Sequence, residues 1–223
     1  MKKFLAVLLF LVFVVPAVYG MGAAPEGSSA AYPYLIDNFE DGTYTKDPEW
    51  FTFDNLVLSV GRNSRLQEGD SSVLANLGEY SLYLTGLATD WYVGGMGCVL
   101  GIDASGYSTF DVDIYGNGEG SGLLKIELYD DDNGNSDIEV DKNWKPLYDD
   151  KWEYEVNVDW SGWKHLSIPF SEFKNAGRGN GSFDPNLQGG SGGLVKIQLI
   201  CVAGSQTGSI NYNIDNLELG TGK

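Results

Sequence analysis

The chain is 223 residues long, with 31 acidic against 14 basic side chains and 43% hydrophobic residues. That apolar share excludes a disordered chain. A formal net charge of −17 repels nucleic-acid phosphates and anionic lipid, so neither is expected as a partner, whereas the same field attracts cations and favours solubility outside the cell.

Lys2 and Lys3 precede an unbroken apolar run over residues 4–15, which Pro16 ends and Val18-Tyr19-Gly20 follows. Charge, length and flank read as a secretory signal peptide over residues 1–20, and the run falls short of the roughly 20 apolar residues of a spanning helix. No cysteine follows directly, as a lipid anchor would require. The mature chain is expected to be secreted, periplasmic or held at the cell surface, with no membrane insertion after cleavage. Residues 21–33 are small and polar and read as a flexible leader. Residues 34–219 read as one domain, within the size range of a single sandwich or barrel, and 220–223 as a tail.

Within that domain the hydrophobic period is two. Phe110, Val112 and Ile114 alternate with Asp111 and Asp113. Leu124, Ile126 and Leu128 alternate with Lys125 and Glu127. Trp152, Tyr154, Val156 and Val158 alternate with Glu153, Glu155, Asn157 and Asp159. Each is the pattern of a half-buried strand. Further strands are expected over 34–40, 50–60, 80–86, 91–102, 163–168, 194–203 and 210–219, separated by Gly, Asn, Asp and Ser clusters that suit short antiparallel connections. No 12-residue amphipathic pattern occurs after the signal, and residues 169–173 allow one helical turn. The expectation is an all-β chain, a two-sheet antiparallel jelly-roll β-sandwich of about ten strands. The stretch 175–193 is the longest turn-like region, of a length often used functionally.

Three constellations could carry chemistry. The opening strand carries Asp37, Asn38, Glu40 and Asp41, and the closing strand Asn213, Asp215, Asn216 and Glu218. If the two strands are neighbours, their oxygens could share a calcium ion, which takes six to eight such ligands; otherwise they are surface and turn acids. The second is the loop with Asp131, Asn133, Asn135, Asp137 and Glu139 spaced by two. This is alternate-ligand spacing without the EF-hand glycine position, and it also reads as a hairpin tip at Asn133-Gly134. The third is a surplus of rings, 13 Tyr and six Trp. A ring standing on a sheet face offers a flat apolar surface to the C–H face of a sugar. Asp90, Trp91 and Tyr92 lead these candidates, followed by Trp50, Tyr129 and Arg178. Cys98 and Cys201 are either a disulfide, which export permits, or two buried thiols. His165, the one histidine, reads as a surface residue, and no pair of carboxylates stands out as catalytic.

Three segments carry a resemblance: Leu35-Ile36-Asp37-Asn38-Phe39-Glu40, the stretch Asp159-Trp160-Ser161-Gly162-Trp163-Lys164-His165-Leu166-Ser167-Ile168-Pro169-Phe170-Ser171-Glu172-Phe173, and the ending Ile214-Asp215-Asn216-Leu217-Glu218-Leu219. In this order they resemble family 11 carbohydrate-binding modules and, more widely, galactose-binding-like jelly rolls. The resemblance implies a structural calcium on Glu40 and Asp215 with Asp37, and a concave face for a β-glucan chain, with Thr89-Asp90-Trp91-Tyr92 and Arg178 on it. Cys201 stands where the family carries a cleft tyrosine, and Phe183 is the nearest ring after Arg178. The function expected is a secreted, non-catalytic, calcium-stabilised module whose partner is a polysaccharide or cell-surface glycan. The rival expectations are a calcium-dependent assembly protein of the cell surface and a small glycosidase.

Overall fold

The computed structural model describes residues 32–221. The expected signal peptide and most of the leader lie outside the described residues, as do the last two residues. Strands are β1 (Tyr34–Asp37), β2 (Phe51–Asp54), β3 (Val57–Arg62), β4 (Tyr80–Leu87), β5 (Tyr92–Ile102), β6 (Thr109–Asn117), β7 (Gly122–Asp130), β8 (Asp150–Val158), β9 (Ser161–Pro169), β10 (Lys174–Asn175), β11 (Leu194–Val202) and β12 (Ser209–Gly220), with one short helix, α1 (Ser71–Asn76). They form two six-stranded antiparallel sheets. The first runs β3-β4-β12-β6-β9, with β1 paired to the end of β12; the second runs β10-β8-β7-β11-β5-β2. The sheets stack face to face as a jelly-roll sandwich.

The alternation explains the core. Leu82 and Leu84 of β4, Phe110, Val112 and Ile114 of β6, and Tyr212 and Ile214 of β12 meet Met96 and Cys98 of β5, Leu124, Ile126 and Leu128 of β7, and Ile197 and Leu199 of β11; all are fully buried in one cluster. Their odd-numbered or even-numbered partners face out, as pleating requires. Residues 50–60 do not form one strand. Asp54 turns left-handed at φ 58 and Asn55 N–H donates to Val93 O at 2.9 Å, so β2 joins the second sheet and β3 the first. That break, together with the two-residue β10, raises the strand number to twelve among the described residues. The final strand includes Gly220, opposite Thr109, one residue into the expected tail.

The outer faces of the two sheets differ. Residues 63–79, with α1, fold over the first sheet beside β9. There Asp70 N–H donates to Trp163 O and Trp163 N–H to Glu68 O, and Trp163 Nε1 donates to Leu66 O at 3.0 Å. Gly69, at φ +127, is the close approach: a Cβ there would fall on the Trp163 backbone. On the second sheet the connection between β7 and β8 packs Ile138 and Val140 against Tyr129 and Val195, while Phe51 and Tyr92 near the opposite edge stay exposed.

Cys98 and Cys201 are both free and buried, which corrects the disulfide alternative. Cys98 is opposite Ile197 and Cys201 opposite Gly94 on neighbouring strands. That offset of four residues is about 13 Å of strand, beyond the roughly 4.4–6.8 Å Cα separation of a disulfide.

Candidate functional site

The outer face of the second sheet has two halves. At one edge, β2 lies on β5 with Phe51 opposite Gly97 and Phe53 opposite Gly95. The missing side chains at Gly95 and Gly97 let the rings lie down across β5. A Cβ at Gly95 would strike the tip of the Phe53 ring and come within 2.9 Å of the Ile200 side chain; one at Gly97 would come within 2.6 Å of the Phe51 ring. The two rings are stacked with centroids 6.3 Å apart and planes 28° apart. Phe51 is 39% exposed and Phe53 half-buried. Together they make an apolar shelf facing solvent.

Next to the shelf, Tyr92 begins β5 with its hydroxyl donating to Asp54 Oδ2 at 2.8 Å. Burial, then the Asp54 contact, push its phenol pKa well above the usual value. Asp90 (φ 56) and Trp91 (φ 75) are the two central residues of the turn from β4 to β5, closed by Thr89 N–H donating to Tyr92 O. Two successive left-handed residues suit a hairpin of this hand, at a cost of roughly 1–2 kcal/mol for each non-glycine residue. Gln206 holds the turn: its side-chain amide donates to Asp90 Oδ1 at 3.1 Å, and its carbonyl accepts from Trp91 N–H. Trp91 stands at the rim where the chain crosses between sheets, 46% exposed.

The other half is polar. Tyr129 Oη donates to Glu127 Oε2 at 2.7 Å and lies 2.8 Å from the Gln198 amide. Lys151 Nζ donates to Glu127 Oε1 at 3.0 Å and also pairs with Glu153, while Lys125 reaches Glu153 and Glu155. Burial alone would lower the Lys151 pKa, but Glu127 and Glu153 outweigh it and hold it above the usual value. The result is a ladder of fixed donors and acceptors across β8, β7 and β11, beside the shelf.

Several expected site residues stand elsewhere. Trp50 is 3% exposed, with Nε1 donating to Asp37 Oδ2 at 2.8 Å; it faces inward, one residue out of phase with the outward Phe51 and Phe53. Tyr129 faces out but is 3% exposed, because Ile138 of the connection after β7 and Val195 pack against it and Lys196 Nζ sits 4.2 Å above its ring centroid. Arg178 is exposed, with an amino group 3.7 Å from Asp141 Oδ2. It follows β10, the strand at the opposite edge of the sheet from β2, about 24 Å away at roughly 4.8 Å per strand. Phe51, Phe53, Gly95 and Gly97 were missed. Their signal was F-x-F beside a G-x-G of matching phase, which shows only once the two strands are paired.

The acids divide similarly. Asp37 accepts from Phe39 N–H and from Trp50, and burial raises its pKa to about 6; among the described residues Asp37, Glu40 and Asp215 do not converge as three carboxylates within 4.8 Å of one another. Glu40 accepts the N–H groups of Glu79 and Tyr80. Asp215 is fully buried, Oδ1 accepting from Asn216 N–H and Oδ2 without a partner. Burial first, then the charges of Asp113 and Glu40, raise its pKa to about 8. Beside it Asn63, also buried, has an unpartnered Oδ1. Orphaned buried oxygens are rare, and Asp215, Asn63 and Glu40 are a donor set that suits a hard cation.

The loop acids spaced by two do not converge on a common point. Asp131 accepts four backbone N–H groups, from Asn133, Gly134, Ser136 and Gly192. Burial opposes its ionisation, but these donors outweigh burial and lower its pKa. Asn133 and Asn135 turn their NH2 groups to Glu139, and Asp137 accepts from Ile138 N–H. These contacts organise the loop, and among the described residues Asp131, Asp137 and Glu139 do not converge within 4.8 Å of one another.

No protein-family model matches the chain, and no curated protein sequence matches it. Among solved structures it is similar to the family 11 carbohydrate-binding module from Clostridium thermocellum in complex with a β-1,3-1,4-mixed-linked tetrasaccharide, with TM-score 0.52 and 20% identity over 86% of this chain and 97% of that one. It is also similar to the family 11 module of the cellulosomal cellulase Lic26A-Cel5E of Clostridium thermocellum, with TM-score 0.51 and 18% identity over 86% of this chain and 96% of that one. The chain thus has the two-sheet β-sandwich fold of the family 11 carbohydrate-binding modules.

Proposed function

We propose that this protein is an exported, non-catalytic carbohydrate-binding module that takes a β-glucan-like polysaccharide on the outer face of the second sheet, with a calcium ion bracing the fold at Glu40, Asp215 and Asn63. The observation that carries the reading is the Phe51–Phe53 shelf laid over Gly95 and Gly97. Rings held flat and facing solvent beside fixed hydroxyl, carboxylate and amide groups match the two needs of a pyranose ring, an apolar face and a rim of hydroxyls. The extended shape of the face supports a chain ligand over a monosaccharide. A polysaccharide laid across the strands would pass from the shelf over Gln198 to the Glu127–Lys151 ladder, and one family 11 module of the same fold was solved with a mixed-linked glucan fragment. Shallow sites bury little apolar area, so affinity should be modest.

The test is retention on mixed-linked β-1,3-1,4-glucan, other glucans, mannans and peptidoglycan. Phe53→Ala and Trp91→Ala should each weaken binding by about 1–3 kcal/mol, the range of exposed-aromatic truncations at interfaces, with circular dichroism unchanged. A wild-type chain that passes every glycan unretarded would remove the proposal.

A further inference from the structure

We infer that Asp130, Asp132 and Asp184 form a second calcium-type cation site, distinct from that at Glu40 and Asp215, which ties the 176–193 connection to the end of β7. Each of the three offers a carboxylate oxygen, and the three oxygens all lie within 4.8 Å of one another. Ligands at 2.3–2.6 Å from one calcium ion can be at most about 5 Å apart, so a single ion can reach all three.

The second observation is the state of Asp130 itself. It is 1% exposed; its Oδ2 accepts from Asp184 N–H at 3.2 Å, and its Oδ1, buried among these acids, has no partner. A buried carboxylate oxygen with nothing to bond is costly. Asp132 repeats the arrangement: Oδ2 accepts from Asp150 N–H at 2.9 Å while Oδ1 is buried and unpartnered. Asp149 and Asp150 stand behind them. Asp149 Oδ1 accepts from Asp132 N–H, and Asp150 accepts from Gly179 and Gly181 N–H. Among the described residues no lysine, arginine or histidine pairs with any of these five acids; the neighbouring Arg178 turns to Asp141. The chain therefore gathers negative charge without a cation of its own.

The place is also open to an ion. A cleft bounded by Asn133 and Gly134 on one side and by Asn180, Asn186 and Gln188 on the other leads to Asp132 and Asp184. Its lining adds amide and carbonyl oxygens and no nitrogen or sulfur ligand of the zinc kind, and an all-oxygen set with flexible loop members suits calcium over zinc or copper. Asp130 ends β7, Asp132 begins the connection that follows it, and Asp184 lies in the connection after β10, so the ion would staple two loops at the same end of the second sheet. The inference does not depend on the glycan reading.

The test uses the full chain, stripped with chelator and titrated with calcium by calorimetry and with terbium by luminescence. Trp152, whose ring lies 5.6 Å from that of Phe183 next to Asp184, serves as the local sensitiser. Asp184→Asn, at an exposed position, and Asp132→Asn should each remove one calcium equivalent and the Trp-sensitised terbium signal, while Asp215→Asn leaves that signal in place. Calcium should also slow proteolysis within 176–193 in the wild type and not in Asp184→Asn. An unchanged stoichiometry and terbium signal in both Asp184→Asn and Asp132→Asn would overturn the site.

Discussion

Phe53 lies across β5 only because Gly95 carries no side chain, and the same holds for Phe51 over Gly97; yet the two glycines are not equivalent. A Cβ at Gly95 would meet the mobile tips of Phe53 and Ile200, whereas one at Gly97 would also come within 2.8 Å of the Ile197 carbonyl. Gly95→Ala should therefore lift the Phe53 ring and reduce glycan retention nearly as far as Phe53→Ala, with thermal stability almost unmoved. Gly97→Ala should reduce both, since a backbone atom cannot swing aside and overpacking typically costs about 1–3 kcal/mol. Parallel melting curves and retention assays separate the two. Phase is what residue-scale reading of the chain lacked. Trp50, Phe51 and Phe53 lie within four positions of one another, and a ring facing the core and a ring facing solvent differ by a single step of the pleat.

At the scale of elements, the turn and strand signals were legible and their partners were not. The alternation in residues 110–114, 124–128 and 152–158 marks β6, β7 and β8, with ends extended by up to three residues. The run over 50–60 looks continuous because both halves alternate; what divides it is the left-handed Asp54 and the pull of β5 on one half and β4 on the other. Strand pairing also settles the thiols. Burial pushes the Cys201 pKa up to about 12 and that of Cys98 higher still, and the thiolate is the reactive form. Neither should react with a thiol reagent in the native protein, and two thiols should titrate on unfolding. Mobility on denaturing gels should be the same with and without reductant. One thiol equivalent reacting at neutral pH without denaturant would contradict the buried placement.

For the whole molecule, the excess of acid is unevenly held. Buried carboxylates cluster at Asp215 and around Asp130, each with an orphaned oxygen. An ion that binds the folded chain and not the unfolded one stabilises it by mass action, about 2.7 kcal/mol at a hundredfold excess over Kd. For a domain of this size that is roughly 5–10 °C in Tm. Calorimetry should show that rise when calcium is added to the chelator-treated protein. Asp215→Asn and Asp184→Asn should each remove part of it and the double variant nearly all. A melting temperature indifferent to calcium would remove both sites together. The outer faces obey the same whole-molecule logic: the excursion over 63–79 covers the first sheet, and Ile138 and Val140 cover the second at Tyr129 and Val195, so the Phe51–Phe53 edge is the part left to meet a ligand.

The amino-acid sequence by itself determined the class of fold, the order of the strands and the turns between them, because alternation and turn chemistry are properties of neighbouring residues. It also determined the sign of the charge and so the exclusion of polyanions. Only the tertiary structure decided which rings face solvent, that Cys98 and Cys201 stand apart, that Asp131 holds its loop together, and that Asp130, Asp132 and Asp184 converge from segments about fifty residues apart. Those outcomes depend on the register of strands distant in the chain and on what lies over each face. A period of two specifies that a side chain has a side, while the paired sheets specify what is on it.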